Sequence, residues 1–196
     1  RDADVTGVQT CALPISGTVQ KSELQAQAIT NEFTESNETY IETSENPVNW
    51  DAQRGWYLPL QYGSAQQGER VIYPALTTLG RVVFVTAKVD ANDPCESNGS
   101  GRLIELDLLS GSKLNYPVLD TNGDGKIDDK DKINSGVNLD GGLPGLPVII
   151  DQSAGGNNGK DTQTKYILLS NGTVKVLDEA GRRSSVTGRI MWRQLQ

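Results

Sequence analysis

The chain has 196 residues, is 36% hydrophobic, carries a formal net charge of -7 and contains no His. That length can bury a real core. An acidic balance without a basic patch argues against nucleic-acid binding. The lack of His removes the commonest general base and metal-ligating imidazole, so a non-enzymatic protein is expected. No apolar run is long enough to cross a bilayer.

The chain does not begin with Met, and Val5–Ile15 reads VTGVQTCALPI. This stretch resembles the translation of a short-read sequencing adapter. It has neither an amphipathic period nor a signal-peptide pattern. Residues 1–16 are therefore expected to be non-native and to pack against nothing, and residues 17–196 to form the native domain. Setting Cys11 aside leaves Cys95 alone in a polar turn, which is weak evidence of any role.

Leu24–Glu42 alternates loosely and predicts two marginal strands with a turn near Ser36-Asn37. Asn46–Trp50 reads as a turn into a short helical or irregular stretch, and Gly55–Leu60 as a short strand. Tyr62–Glu69 is a polar loop. Arg70–Tyr73 and Arg81–Ala87 are the strongest strand candidates. The second is β-branched and nearly continuous, so both of its faces are expected to be buried. Leu79-Gly80 marks a turn before it.

Asn92–Gly101 is a loop. In the strand Arg102–Asp107, Leu103 and Glu105 fall on one face, Ile104 and Leu106 on the other. Gly136–Gly145 is Gly-rich. Pro147–Asp151 is a strand, Asp151–Gln163 a polar loop, and Tyr166–Leu169 with Thr173–Leu177 a hairpin turned by Asn171-Gly172. Arg189–Arg193 is a last strand. Short apolar runs divided by Gly, Asn, Asp and Pro give an all-β fold class.

Gly101–Gly111 and Gly172–Gly181 share an order: Gly, strand, Asp, Gly. A strand ending in an Asp-initiated turn closed by Gly is the kind of unit that β-propellers repeat. This pattern resembles that of quinoprotein-type propeller blades.

Asp120–Asp131 reads DTNGDGKIDDKD and matches an EF-hand type calcium loop. Calcium takes several hard oxygen ligands in flexible geometry. Asp120, Asn122 and Asp124 present side-chain oxygens at alternate positions. Gly125 permits the sharp turn. Lys126 can offer only its carbonyl. Ile127 packs the loop onto the core, and Asp128 ligates directly or through water. Asp131 stands where an EF-hand usually has a Glu. Its shorter side chain reaches an ion less well, and Asp128 is an alternative closing point. No amphipathic helices flank the loop, and residues 129–133 allow one helical turn at most. A single isolated site between strands is expected, without the helix opening of calcium sensors.

Several stretches in order resemble the C-terminal part of the PilY family, type IV pilus assembly proteins and tip adhesins. They are Asn46–Trp50 with Gly55–Leu58, Gly68–Val71, Gly80–Phe84, Asp93–Cys95, Gly99–Gly101, the strand through Asp107, the loop Asp120–Asp128, and Gly188–Leu195. The resemblance implies the C-terminal portion of a quinoprotein-like, modified β-propeller with one inserted EF-hand-like calcium loop. It implies Ca2+ held by Asp120, Asn122, Asp124, the Lys126 carbonyl and Asp128. It also implies regulation of pilus extension and retraction, twitching motility and surface adhesion. The implied partners are minor pilins, the type IV pilus machinery and a host-surface ligand. The implied location is the pilus tip or outer surface, reached through the periplasm.

Two other readings compete. A fragment of a quinoprotein-like, PQQ-dependent dehydrogenase would use Trp residues around a quinone, and Trp50, Trp56 and Trp192 are available. Trp in β proteins is far more often core. A dockerin-like module would need a duplicated loop followed by helices, and one loop is present.

Overall fold

A computed structural model describes residues 18–63, 68–89, 99–152 and 162–181. Residues 1–16, Cys95 and the predicted strand Arg189–Arg193 lie outside these. Twelve strands and one short 3-10 turn, Lys21–Glu23, make up the regular structure of the described residues. The all-β expectation holds.

The main sheet is built from β2 (Ile29–Glu35), β3 (Glu38–Thr43), β9 (Gly136–Leu139), β8 (Gly99–Asp107), β7 (Arg81–Val89) and β5 (Arg70–Val71), in that order. The strand β6 (Leu76–Thr78) also pairs with β7. A second sheet contains β10 (Val148–Gln152), β11 (Thr162–Leu168) and β12 (Val174–Ala180), all antiparallel. A short parallel pair joins β1 (Gln25–Ala26) to β4 (Trp56–Tyr57).

Strand alternation explains the layers. Side chains two apart share a face, and the central strands bury both faces. Val83 and Val85 of β7, Leu103 of β8, Tyr40 of β3 and Val137 of β9 pack with Ile167 and Leu169. Val82 and Phe84, Ile104 and Leu106, and Ile41 pack on the opposite face with Trp56 and Leu58. The run Arg81–Ala87 is buried throughout, as its composition predicts. Each fully buried Val, Leu, Ile or Phe contributes roughly 1.5–3 kcal/mol.

Turn chemistry sets two hairpins. Ser36 (φ 50) and Asn37 (φ 66) both adopt left-handed backbone between the paired Glu35 and Glu38. Leu79 (φ 50) and Gly80 (φ 76) do the same between Thr78 and Arg81. Two such residues match the twist of the flanking strands.

Two expectations need correction, and a stretch that the sequence marks only as Gly-rich, Gly136–Leu139, is a strand that pairs with both β3 and β8. Its Gly content marks a close approach: a Cβ on Gly136 would lie 2.2 Å from the Leu103 carbonyl oxygen. At Asn171-Gly172, Gly172 takes positive φ (86) and Asn171 does not; the Gly172 N–H donates to the Leu169 carbonyl at 2.9 Å, and the turn is longer than two residues. The Gly-strand-Asp-Gly repeat also divides. Asp107 initiates a turn, accepting the N–H of Ser110 at 2.8 Å, and Gly111 closes it with φ 67. Asp178 instead sits inside β12, because pairing with β11 continues through Ala180.

Candidate metal centre

The acidic loop hangs between the two sheets. Before it, Leu119 forms an isolated bridge with Glu179 of β12, and the Ala180 N–H donates to the Val118 carbonyl at 2.9 Å. After it, Asn134 and Ser135 lead into β9 and are buried. The loop is therefore anchored at both ends.

Its curl comes from side-chain oxygens that accept backbone N–H groups two residues on, as Asn and Asp do readily. Asn122 Oδ1 accepts from Asp124 at 2.9 Å. Asp124 Oδ1 accepts from Lys126, and Asp128 Oδ1 from Lys130, both at 2.9 Å. Asp120 spans more of the loop, taking the Gly123 N–H on Oδ1 at 2.7 Å and the Gly125 N–H on Oδ2 at 2.8 Å. Gly123 (φ 75) and Gly125 (φ 77) supply the left-handed backbone.

Asp131 is placed differently. It is buried, and its Oδ1 accepts the N–H of Thr121 at 2.8 Å and of Asn122 at 3.3 Å. Its Oδ2 accepts the Asp128 N–H at 2.8 Å. It straps the end of the loop to its beginning.

Asp120, Asn122 and Asp128 are half-buried, while Asp124 and Lys126 are exposed. The donors are oxygen only, which suits a hard cation such as calcium. A carboxylate oxygen with one N–H partner keeps further acceptor capacity. The curl and donor chemistry fit such an ion. The carboxylates themselves are not drawn to one point: among the described residues, no three Asp, Glu, Cys or His side chains form a metal-holding group.

The loop rests on the β2–β3 hairpin. Tyr40 Oη donates to the Asp120 carbonyl at 3.3 Å. Burial, then the carboxylates of Glu38 and Asp120, push the Tyr40 hydroxyl up to about 12. A Cβ on Gly123 would meet Ser36 Oγ at 3.2 Å. Lys132 stands 3.4 Å from Glu35 and 5.1 Å from the centre of the Phe33 ring. That ring stacks on Tyr40 with centroids 5.4 Å apart.

A second constellation escapes sequence reasoning. Arg81, Glu105, Lys165 and Glu179 are all buried between the two sheets. Arg81 Nη1 lies 3.1 Å from Glu105 Oε2, and Lys165 pairs with both Glu105 and Glu179. Gln163 Oε1 accepts from Arg81 Nη2 at 2.6 Å. Burial pulls the Lys165 ammonium down to about 8. The available signal was Glu105 sharing a face with Leu103.

Of the three Trp residues, Trp50 and Trp56 are described, and their surroundings differ. Trp56 is core, its indole N–H donating to the Leu108 carbonyl at 3.2 Å. Trp50 is exposed, and Trp192 lies outside the described residues. Among those residues no helix is long and apolar enough to cross a membrane.

No family model matches the chain. The type IV pilus biogenesis factor PilY1 of Pseudomonas aeruginosa (strain UCBPP-PA14) is 26% identical over 136 residues, covering 61% of this chain and 12% of that protein. The crystal structure of the P. aeruginosa PilY1 C-terminal domain superposes with a TM-score of 0.59 at 22% identity. The chain is thus similar in sequence to part of PilY1 and in fold to its C-terminal domain. The superposition covers 82% of this chain and 32% of the solved PilY1 domain. The chain thus spans about a third of that domain and about an eighth of PilY1.

Proposed function

We propose that the chain is part of a calcium-binding type IV pilus biogenesis protein and tip adhesin. In this reading Ca2+ at Asp120–Asp128 biases pilus extension against retraction. The observation that carries it is the loop itself: an oxygen-only donor set curled by its own Asx turns and anchored at both ends. Asp120, Asn122, Asp124, the Lys126 carbonyl and Asp128 are the ligands. Asp131 holds the loop closed, with Asp128 as the closing ligand. An arriving cation would draw the Asp124 and Asp128 carboxylates inward, since bare like charges repel and an ion reverses that.

The likeness in fold to the PilY1 C-terminal domain and the facing antiparallel sheets support a portion of a modified β-propeller. Contacts with minor pilins and a host surface, twitching motility, and a location at the pilus tip reached through the periplasm belong to the same reading. The loop's contact with the β2–β3 hairpin gives occupancy a route to a neighbouring element. The test is a twitching assay in a strain carrying the full-length protein with Asp124→Ala. Altered extension or retraction is expected, and unchanged motility at normal protein levels contradicts the regulatory role.

A further inference from the structure

Val118 and Leu119, just before the acidic loop, are buried and touch both sheets. They lie at the C-terminal end of β12, the edge strand of the second sheet among the described residues. The Ala180 N–H donates to the Val118 carbonyl at 2.9 Å, and Leu119 bridges Glu179 in antiparallel register. The Leu119 side chain packs with Val83 and Val85 of β7 and with Ile167 of β11. Next in the chain, the Asp120 carbonyl accepts the Tyr40 hydroxyl of β3 at 3.3 Å. Thr121 is buried as well, its Oγ1 accepting the Lys132 N–H at 2.9 Å. Asp120 thus stands between two residues that cannot shift without disturbing a close-packed interior.

We propose that residues 118–119 are a calcium-tightened strap on the edge of β12, which sets how firmly the end of the second sheet stays docked. The inference rests on the reading of Asp120, Asn122, Asp124 and Asp128 as ligands. Without a cation, the carboxylates of Asp120, Asp124 and Asp128 repel one another, and the loop they curl pulls against the strap. A bound cation reverses that repulsion and fixes Asp120. The strap is the part able to respond. One bridge and one backbone hydrogen bond to an edge strand open at far less cost than the central strands β7 and β8, which are paired along their length. Opening the strap also frees the backbone that places Glu179, whose carboxylate pairs with Lys165 in the buried cluster. Calcium at the loop is thereby felt at the junction of the sheets. By linkage, a weakened strap lowers calcium affinity in turn.

The test is amide exchange followed by NMR on the isotope-labelled full chain, in chelator and in saturating calcium. Calcium should slow exchange at Ala180 by about fivefold or more, beyond any slowing shared with the amides of β7 and β8. That shared part reports stabilisation of the whole fold. A second measurement uses Ala180→Pro, which removes the strap's donor at a strand edge, where proline is tolerated, and leaves every ligand in place. Calorimetry should place its calcium affinity about fivefold or more below wild type, with far-UV circular dichroism as the check on folding. Calcium binding with equal slowing at Ala180 and in the central strands overturns the strap and leaves the ligand reading standing, as does unchanged affinity in folded Ala180→Pro. Absence of calcium binding in the wild type overturns the ligand reading, and the strap falls with it.

Discussion

Asp131 Oδ1 accepts the backbone N–H of Thr121 at 2.8 Å, joining the last position of the acidic loop to its second. The same carboxylate also takes the N–H groups of Asn122 and Asp128. Asp131 is thus tied to the fold even before any cation arrives. Asp131→Ala leaves these buried N–H groups without an acceptor and should cost about 1–3 kcal/mol of stability without calcium. Asp124→Ala removes an exposed side chain and should leave calcium-free stability within about 0.5 kcal/mol. Urea denaturation of both variants in chelator separates the two roles. Equal losses would contradict the strap.

Gly125 has φ 77 with nothing within 4 Å of an added Cβ. Any cost of Gly125→Ala is therefore backbone strain alone, about 1–2 kcal/mol. Gly136→Ala meets a fixed wall instead, with its Cβ 2.2 Å from the Leu103 carbonyl oxygen. It should disrupt the β8–β9 pairing and cost more than Gly125→Ala. Thermal unfolding of the two variants gives the order.

Lys165 lies between Glu105 and Glu179 at the junction of the sheets. Lys165→Met leaves two carboxylates buried beside Arg81 and should destabilise by about 3–5 kcal/mol. The pH dependence has a definite sign. The folded-state value is lowered from 10.5 to about 8, so between these values the unfolded chain binds more protons. Stability from this group should therefore rise from pH 8 towards 10. Denaturation midpoints measured across that window should rise in the wild type and lose that rise in Lys165→Met.

The strands that the sequence marks well are those whose alternation reflects burial. Arg81–Ala87 and Arg102–Asp107 are legible because β-branched and apolar residues fill both faces of a central sheet. Strand β9 was hidden, because Gly136 is selected for a close backbone approach and reads locally as a breaker. Asp178 misled for a related reason. A turn-forming residue stays in a strand when a partner supplies the pairing, here β11, with Thr164 Oγ1 donating to it at 2.7 Å. The loop Asp120–Asp131 was legible because its curl is local, made by Asx bonds and two glycines. The Arg81–Glu105–Lys165–Glu179 cluster was not, because its members come from four strands that only the packing of the two sheets brings together.

Calcium titration calorimetry on the chelator-treated chain tests the central claim most directly. A single saturable site in the wild type, lost in Asp124→Ala, is the predicted result. Absence of binding heat and of any calcium-induced gain in thermal stability in the wild type would contradict the account.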